Sequence, residues 1–311
     1  MWPFAHILGV LRKKAGSPWG YIREDWKGSE MVTPHIIGVI FALTSAVVWG
    51  TGDFSGGMAT RIQNQFQVLF LMTIPGIVML AVIAAVIGEP FPSSVDAVWA
   101  FCAGTSGALG VAALYKGLAN GNAATVAPIA AVIGAGIPVM FSFFFLGIPD
   151  ISHILGFITA IFGIWFVSRP VDGHGHENSQ GLIMAILAGC GFGGFFTMIA
   201  QVEQGLVFSP LVLAKTAALI LALVLIFFRR DRLPSPLSNP IAVFAGFFDA
   251  GGNIFFLLAK QFTRLDVAAV LASMYPSVTV ILSCLILKEK VSLAQWGGVV
   301  LCVIAIALIG M

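Results

Sequence analysis

Long apolar stretches alternate with short polar breaks from about residue 35 to the end of the chain. Each stretch is close to the roughly 20 residues that an α-helix needs to cross the hydrocarbon core of a bilayer. None shows the alternating pattern of a membrane β-strand. The pattern predicts an all-α integral membrane protein of about ten transmembrane helices. We place these helices near residues 36–56, 66–87, 97–119, 123–146, 152–168, 181–202, 209–228, 240–260, 266–287 and 292–310.

The longest polar break, residues 169–180, lies near the middle of the chain and suggests a division into two units. The predicted segments are residues 1–30 as an N-terminal extension or tail, 31–170 as a first five-helix repeat, 171–180 as a linker and 181–311 as a second five-helix repeat. The apolar run at 4–11 is too short to span a membrane, and its basic cluster follows it, unlike that of a signal peptide. Residues 1–30 are therefore an interfacial anchor, a tail, or an upstream extension with translation starting at Met31.

Composition supports a membrane location. Hydrophobic residues make up 59% of the chain and charged residues 10%, with a mean hydropathy of +0.99. Soluble domains carry roughly 25% charged residues, so these few charges cannot cover a water-soluble surface. The net charge of +2, without a basic face, excludes nucleic acid as a partner. The cysteines all lie in apolar segments without metal or redox spacing, so no disulfide framework is expected.

The two halves of the chain resemble each other. Residues 38–50 align with 181–193, and residues 122–126 align with 266–270. Five spans per half is an odd number, so the second half would enter the membrane from the side opposite to the first. The sequence therefore predicts two inverted five-helix repeats, an arrangement that lets a transporter open alternately to each side.

Three segments carry a resemblance to a known family. They are Ala-Val-Val-Trp-Gly at 46–50, the opening of the ninth helix at 266–276, and residues 287–298, where a glutamate is followed by Gln-Trp-Gly. Over residues 36–311 the chain resembles the EamA-type transporters of the drug/metabolite transporter superfamily. The first repeat departs from this pattern, because it has Asp150 where the second has the glutamate.

This resemblance implies ten helices in two inverted repeats, a central cavity, and export of metabolites or drugs driven by protons or by exchange. We therefore expect a secondary transporter of the plasma (cytoplasmic) membrane that moves a small-molecule substrate by alternating access. Its expected partners are the lipid bilayer, the substrate, protons or an exchanged solute, and a second copy in a homodimer. The alternatives are a channel or scaffold without uphill transport, or a membrane-embedded enzyme.

Charged residues inside lipid are costly, so each is a candidate for substrate binding or coupling. Asp249 lies near the middle of the eighth helix, and Asn253 follows four residues later on the same face. Desolvation favours the neutral form of a buried carboxyl group, which suits proton binding. Lys215 in the seventh helix is an anion site or a partner of Asp249. The alternatives are an Asp that only joins helices and a Lys that extends to the interface.

Other candidates come from the first, sixth and ninth helices. Asp53 follows Trp49 by one turn and is interpreted as a cavity or gate acid, or as a helix cap or loop residue. The aromatic residues Trp49, Phe192, Phe196 and Tyr275 are predicted either to line the cavity or to pack the core. Interrupted helices expose backbone carbonyls to a substrate. We predict such breaks at Tyr275 with the following proline, and in the fourth helix at its two prolines.

No catalytic, metal or cofactor site is expected. The pair His174 and His176 lacks a third ligand, and the chain contains neither HExxH nor GxSxG. A channel is expected to carry a filter motif or charged rings, and none is visible.

The orientation of the termini is subject to two conflicting indications. Most loop cations fall in the odd-numbered loops, namely Arg61, Lys116, Arg169, Arg229, Arg230, Arg232, Lys288 and Lys290. The even-numbered loops hold Lys260 and Arg264. With translation from Met31, the positive-inside rule favours external termini. The family resemblance implies cytoplasmic termini, and we expect the latter.

Overall fold

The computed structural model describes residues 28–120, 123–167, 179–235, 237–287 and 292–309. Within these ranges the chain forms eleven α-helices and no β-strand. The helices are α1 Gly28–Ala59, α2 Gln65–Ile87, α3 Ser94–Asn120, α4 Ala123–Phe145, α5 Ile151–Val167, α6 Ser179–Ile199, α7 Phe208–Arg229, α8 Pro240–Phe262, α9 Leu265–Ala272, α10 Tyr275–Leu287 and α11 Leu293–Ile309. The prediction of an all-α protein is confirmed for the described residues.

Seven helical segments of the described chain are long and apolar enough to cross a membrane. They are Pro34–Ala59, Gln65–Ile87, Ser94–Gly117, Gln180–Ile199, Phe208–Arg229, Pro240–Phe262 and Leu265–Ile286. Three shorter apolar helices, Ile129–Phe145, Ile151–Phe166 and Leu293–Ile309, coincide with the other predicted spans. Length and composition therefore support seven spans, and a total of about ten stays a prediction.

Two helices extend beyond the predicted boundaries. Helix α1 begins at Gly28, within the predicted tail 1–30, and α6 begins at Ser179, within the predicted linker 171–180. Residues 1–27 of that tail and most of that linker lie outside the described residues. The boundaries differ because the hydrophobic pattern marks where the chain leaves lipid, whereas a helix can continue past that point.

The proline positions gave one correct and one wrong prediction. The predicted ninth span is broken at Ser273 and Met274 into α9 and α10, and Pro276 lies at the start of α10, where its missing N–H is tolerated. The predicted interruption of the fourth helix at Pro128 and Pro138 is wrong, because α4 is continuous from Ala123 to Phe145. Neighbouring helices and local adjustment let membrane helices continue through a proline.

Local signals in the sequence explain the bounds of α2. Its N-cap residue, Asn64, accepts hydrogen bonds from the backbone N–H groups of Phe66 and Gln67, and the Gln67 side chain completes a capping box. The helix ends at Gly88, whose φ of 67° lies in the left-handed region that glycine adopts without strain. These two caps therefore set the beginning and the end of α2.

Contacts between the first half, α1 to α5, and the second half, α6 to α11, occur in matched pairs. Helix α1 packs on α8 while α6 packs on α3, and α3 packs on α7 while α8 packs on α2. Helices α2 and α7 pack on each other, as do α5 and α11. Exchanging the two halves therefore reproduces each of these contacts.

The two halves run in opposite directions. His35 near the start of α1 contacts Thr263 at the end of α8, with 3.0 Å between Nδ1 and Oγ1. Lys260 in the last turn of α8 donates to the carbonyl of Val202, just beyond the end of α6, at 3.4 Å. Helix α1 therefore begins at the end of the bundle where α6 ends. The second ring nitrogen of His35 lies 2.9 Å from the carbonyl of Ile309, so α11 ends there too.

Two glycines allow the closest approaches between the halves. A Cβ at Gly104 in α3 would lie 2.0 Å from the carbonyl oxygen of Ala214 in α7. A Cβ at Gly246 in α8 would lie 2.2 Å from the carbonyl oxygen of Met72 in α2. The interval from Gly104 to Gly246 equals that from Met72 to Ala214. The same backbone-to-backbone contact is thus built twice.

Candidate functional site

A cavity lies between the two halves and is lined from α1, α2, α3, α6, α7, α8 and α10. All eight residues singled out in the sequence line it, namely Trp49, Asp53, Phe192, Phe196, Lys215, Asp249, Asn253 and Tyr275. The sequence placed these residues in five separate helices, and the fold brings them to one place. A cleft with mostly apolar walls and a few polar groups is the usual form of a small-molecule site.

The strongest polar contact in the cavity joins α7 to α8. The ammonium group of Lys215 forms an ion pair with Oδ2 of Asp249. Their side chains are 11% and 24% exposed, so the pair is largely shielded from water. Lys215 is directed to this carboxylate inside the bundle rather than to the interface. A shielded pair of this kind holds two helices in register, because separating the partners leaves a charge without a counterion in an apolar environment.

Asn253 supports Asp249 from the next turn of α8. Its amide nitrogen donates to the backbone carbonyl of Asp249 and lies 3.4 Å from Oδ1 of the same residue. The indole N–H of Trp49 in α1 donates to that same carbonyl at 3.2 Å. Gly252 makes this contact possible, since a Cβ there would lie 2.4 Å from the indole ring. Asp249 is therefore held by α1, α7 and its own helix.

An aromatic cluster forms an apolar wall beside these charges. The ring centroids of Trp49 and Phe196 are 5.5 Å apart, and those of Trp49 and Phe195 are 6.5 Å apart. Phe256 packs behind this wall, with 4.7 Å between its centroid and that of Phe196. Trp49 and Phe196 are thus both cavity-lining and core-packing residues, and the two interpretations from the sequence both apply.

Asp53, unlike Asp249, has no partner in the part of the chain that the structure describes. It lies inside α1, which continues to Ala59, so the interpretation as a cap or loop residue is wrong. Among the described residues, Asp53 makes no hydrogen bond and no ion pair. Its charge interacts with that of Asp249 and with the hydroxyl groups of Tyr115 and Tyr275. The cavity therefore contains one paired and one unpaired carboxyl group.

Tyr275 carries the second unsatisfied group of the cavity. It follows the break between α9 and α10, its side chain is 7% exposed, and its hydroxyl has no hydrogen-bond partner in the described chain. Buried hydroxyl groups nearly always have a partner, and one that lines a cavity is available to water or to a ligand. The Tyr275 backbone is held by Thr279, whose hydroxyl lies 3.2 Å from the Tyr275 carbonyl oxygen.

Sequence reasoning missed part of the uncharged lining. Phe195, Thr73 and Gly107 line the cavity, although none is unusual in a membrane helix. Helical spacing provides the only signal, since Thr73 lies one turn from the lining residue Leu69.

No metal site is formed by the described residues, among which no group of three or more His, Cys, Asp or Glu side chains could hold an ion. His174 and His176 lie outside the described residues.

Comparison with known proteins gives a direct result. The model of a family described as the EamA-like transporter family matches residues 36–169 and again residues 179–311. The chain belongs to the EamA-like transporter family. The two matches show that it contains two EamA repeats, and the family is part of the drug/metabolite transporter superfamily. Together with the apolar helices, this establishes a multi-pass membrane protein of transporter type, from a family that is not enzymatic.

A solved structure, described only as the crystal structure of a protein, shares this EamA transporter's fold. It superposes with a TM-score of 0.68 at 18% sequence identity and covers 87% of this chain and 94% of the other. No curated protein matches the chain.

Proposed function

We propose that this EamA-family protein is a secondary transporter that exports a small metabolite or drug-like molecule by alternating access. The cavity between the two repeats carries this proposal. It is lined from both repeats, and it holds an ion pair, an unpaired carboxyl group and an unsatisfied hydroxyl within apolar walls. Polar groups this deep in a membrane bundle are costly, so a binding role accounts for their presence.

The arrangement of the helices supports alternating access. The halves exchange contacts in matched pairs and run in opposite directions, as inverted repeats do around a midplane site. The start of α1 and the end of α11 lie together, which requires an even number of crossings. Seven long spans and three shorter apolar helices together give ten, which is an even number. We propose ten spans in two inverted repeats, with cytoplasmic termini in the plasma (cytoplasmic) membrane and a homodimer as the assembly.

Each end of the bundle has a polar tie between the halves. At one end, Oε1 of Glu89 accepts hydrogen bonds from the backbone N–H and hydroxyl of Ser209, at 2.7 and 2.8 Å. At the other end, Asn64 donates to Oδ2 of Asp231 at 3.1 Å. We propose that loosening these ties in turn opens the cavity to the two sides. Protons or an exchanged solute would bias this change by binding the two states differently.

A metabolite-export experiment tests this proposal. Cells expressing the protein would be compared with cells expressing Lys215→Met/Asp249→Asn, with mass spectrometry of the medium at equal membrane levels of the two proteins. Asp150→Asn, in an exposed loop outside the cavity, is the matched control. We expect at least one metabolite to be enriched outside the cells with the wild-type protein and the control, but not with the double variant.

Reconstituted protein separates a transporter from a channel. Liposomes preloaded with the enriched metabolite should take up external label against its gradient by counterflow. Downhill leakage without counterflow would assign the cavity to a channel, and no flux with any enriched metabolite would contradict the proposed function.

A further inference from the structure

We propose that the cavity selects a monovalent organic cation, namely a protonated amine with a flat apolar group, whose ammonium binds at Asp53. This inference rests on the proposed transport function and names its substrate class. The evidence is that Lys215 is paired with Asp249 whereas Asp53 has no counterion among the described residues, and that Tyr275 and an aromatic wall line the same cavity.

The charged side chains that line the cavity carry an excess of negative charge. Asp53, Asp249 and Lys215 are the ionisable acidic and basic residues that line the cavity. Lys215 is committed to Asp249 by a direct ion pair. Asp53 has no counterion among the described residues and interacts unfavourably with the Asp249 charge. A cationic ligand neutralises this excess, whereas an anionic ligand would face two carboxylates with the single ammonium already occupied.

The cavity also offers hydrogen-bond acceptors to a ligand. The buried hydroxyl of Tyr275 has no hydrogen-bond partner among the described residues, and Tyr275 and Asp53 line the same cavity. An alkylammonium group has three N–H donors and no acceptor, whereas carboxylate and phenol oxygens both accept. One ammonium can therefore donate to Asp53 and to Tyr275 together.

The aromatic wall of the cavity can accommodate the apolar part of a ligand. Trp49, Phe195 and Phe196 lie on one side of the cavity with centroids 5.5 to 6.5 Å apart. Aromatic faces attract cations and pack against flat apolar groups. The wall therefore suits the body of an amphipathic amine whose charged end reaches Asp53.

Protonation of Asp53 competes with this cation. The charged and titratable groups that face it are Asp249, which is paired with Lys215, and the phenols Tyr115 and Tyr275. Protonating Asp53 removes the attraction for an ammonium, so the cation should bind more weakly as the pH falls.

The test uses three probes that share a phenyl ring and a short chain: 2-phenylethylamine, neutral 2-phenylethanol and anionic 3-phenylpropionate. Isothermal titration of the full chain in lipid nanodiscs would give their dissociation constants between about pH 6 and about pH 8, where an alkylammonium stays charged. We expect the amine to bind at least about tenfold more tightly than the other two at the higher pH, and to lose affinity as the pH falls.

Three variants test whether the preference for the amine depends on the carboxylate of Asp53. Asp53→Asn should abolish the preference for the amine, whereas Asp53→Glu and the loop control Asp150→Asn should keep it. Tighter binding of 3-phenylpropionate, or an unchanged preference in a folded Asp53→Asn protein, would overturn the inference. The titration measures binding and does not depend on transport. If the protein binds the amine but shows no counterflow with any solute, the proposed transport function fails and the inference about the bound cation stands.

Discussion

The two halves of the molecule share their packing but differ in their chemistry. The interval from Met72 to Ala214 also relates several pairs of residues that line the same cavity. These pairs are Leu69 with Leu211, Thr73 with Lys215, Gly107 with Asp249, and Val111 with Asn253. The second member of three of these pairs is a charged or amide side chain, and the first is Thr, Gly or Val. The repeat therefore provides a symmetric frame, and at these matched positions the polar side chains come from the second half.

This difference has a physical consequence for binding. A symmetric cavity would offer a ligand two equivalent orientations, whereas this one places the ion pair on α7 and α8 and the unpaired Asp53 on α1. The ligand therefore has one favoured orientation. The architecture depends on small residues at the shared contacts, and selectivity depends on the residues that break the symmetry.

The largest expected effect comes from breaking the shared frame. Gly104→Val and Gly246→Val should each abolish accumulation of folded protein, because their side chains would meet backbone atoms of the neighbouring helix. Backbone cannot move aside as a flexible side chain can, so the cost should exceed the roughly 1–3 kcal/mol of ordinary overpacking. Gly57→Ala is the control, since nothing lies within 4 Å of its new Cβ. Fluorescence-detected size-exclusion chromatography measures the outcome, and a normal monodisperse peak for either Val variant would refute the close contact.

The next effect comes from breaking the ion pair that only the second half contains. Lys215→Met should lower the free energy of unfolding by about 3–5 kcal/mol, because it leaves Asp249 buried without a counterion. The double variant Lys215→Met/Asp249→Asn should recover most of that stability, but not transport. Thermal unfolding of the purified proteins gives the comparison. A double variant as unstable as Lys215→Met alone would show that the pair does not act as a unit.

A smaller effect on folding, with a large effect on function, is expected at Asp53. Since Asp53 has no hydrogen bond or ion pair among the described residues, Asp53→Asn breaks no contact, and it should leave the free energy of unfolding unchanged or raise it. The same variant should abolish uphill, pH-dependent transport, because its charge can no longer change. Retention of that transport would assign coupling to Asp249, the residue that the sequence alone favoured.

The smallest effect is expected from removing the segment that has no counterpart in the repeat. Deleting residues 1–27 should leave membrane insertion and export unchanged, because the family match begins at residue 36. Quantitative immunoblotting of membrane fractions tests this expectation, and loss of inserted protein would show that the segment is structural.

The sequence predicted the helices and the cavity candidates because both depend on the cost of placing polar groups in lipid. That cost singles out Asp249 and Lys215, which lie well inside their predicted helices, and Asp53, one turn beyond Trp49. The charged residues Lys116, Lys260 and Asp266 lie at the ends of theirs. The sequence indicated Asp249 as a partner of Lys215, as the structure shows, but it left an anion site as the alternative, because pairing depends on how α7 is rotated against α8. The continuity of α4 through Pro138 also escaped prediction, since neighbouring helices compensate for a lost backbone hydrogen bond.

Side-specific labelling tests whether the cavity between the repeats opens alternately to the two sides of the membrane. Val111→Cys, at a partly exposed position of the cavity lining, would be placed in a variant whose four native cysteines are replaced by alanine. A membrane-impermeant maleimide would then be applied to right-side-out and to inside-out vesicles. We predict labelling from both sides, with the ratio shifted by the exported solute. Labelling from one side only, or equal labelling from both sides that no solute changes, would contradict the account.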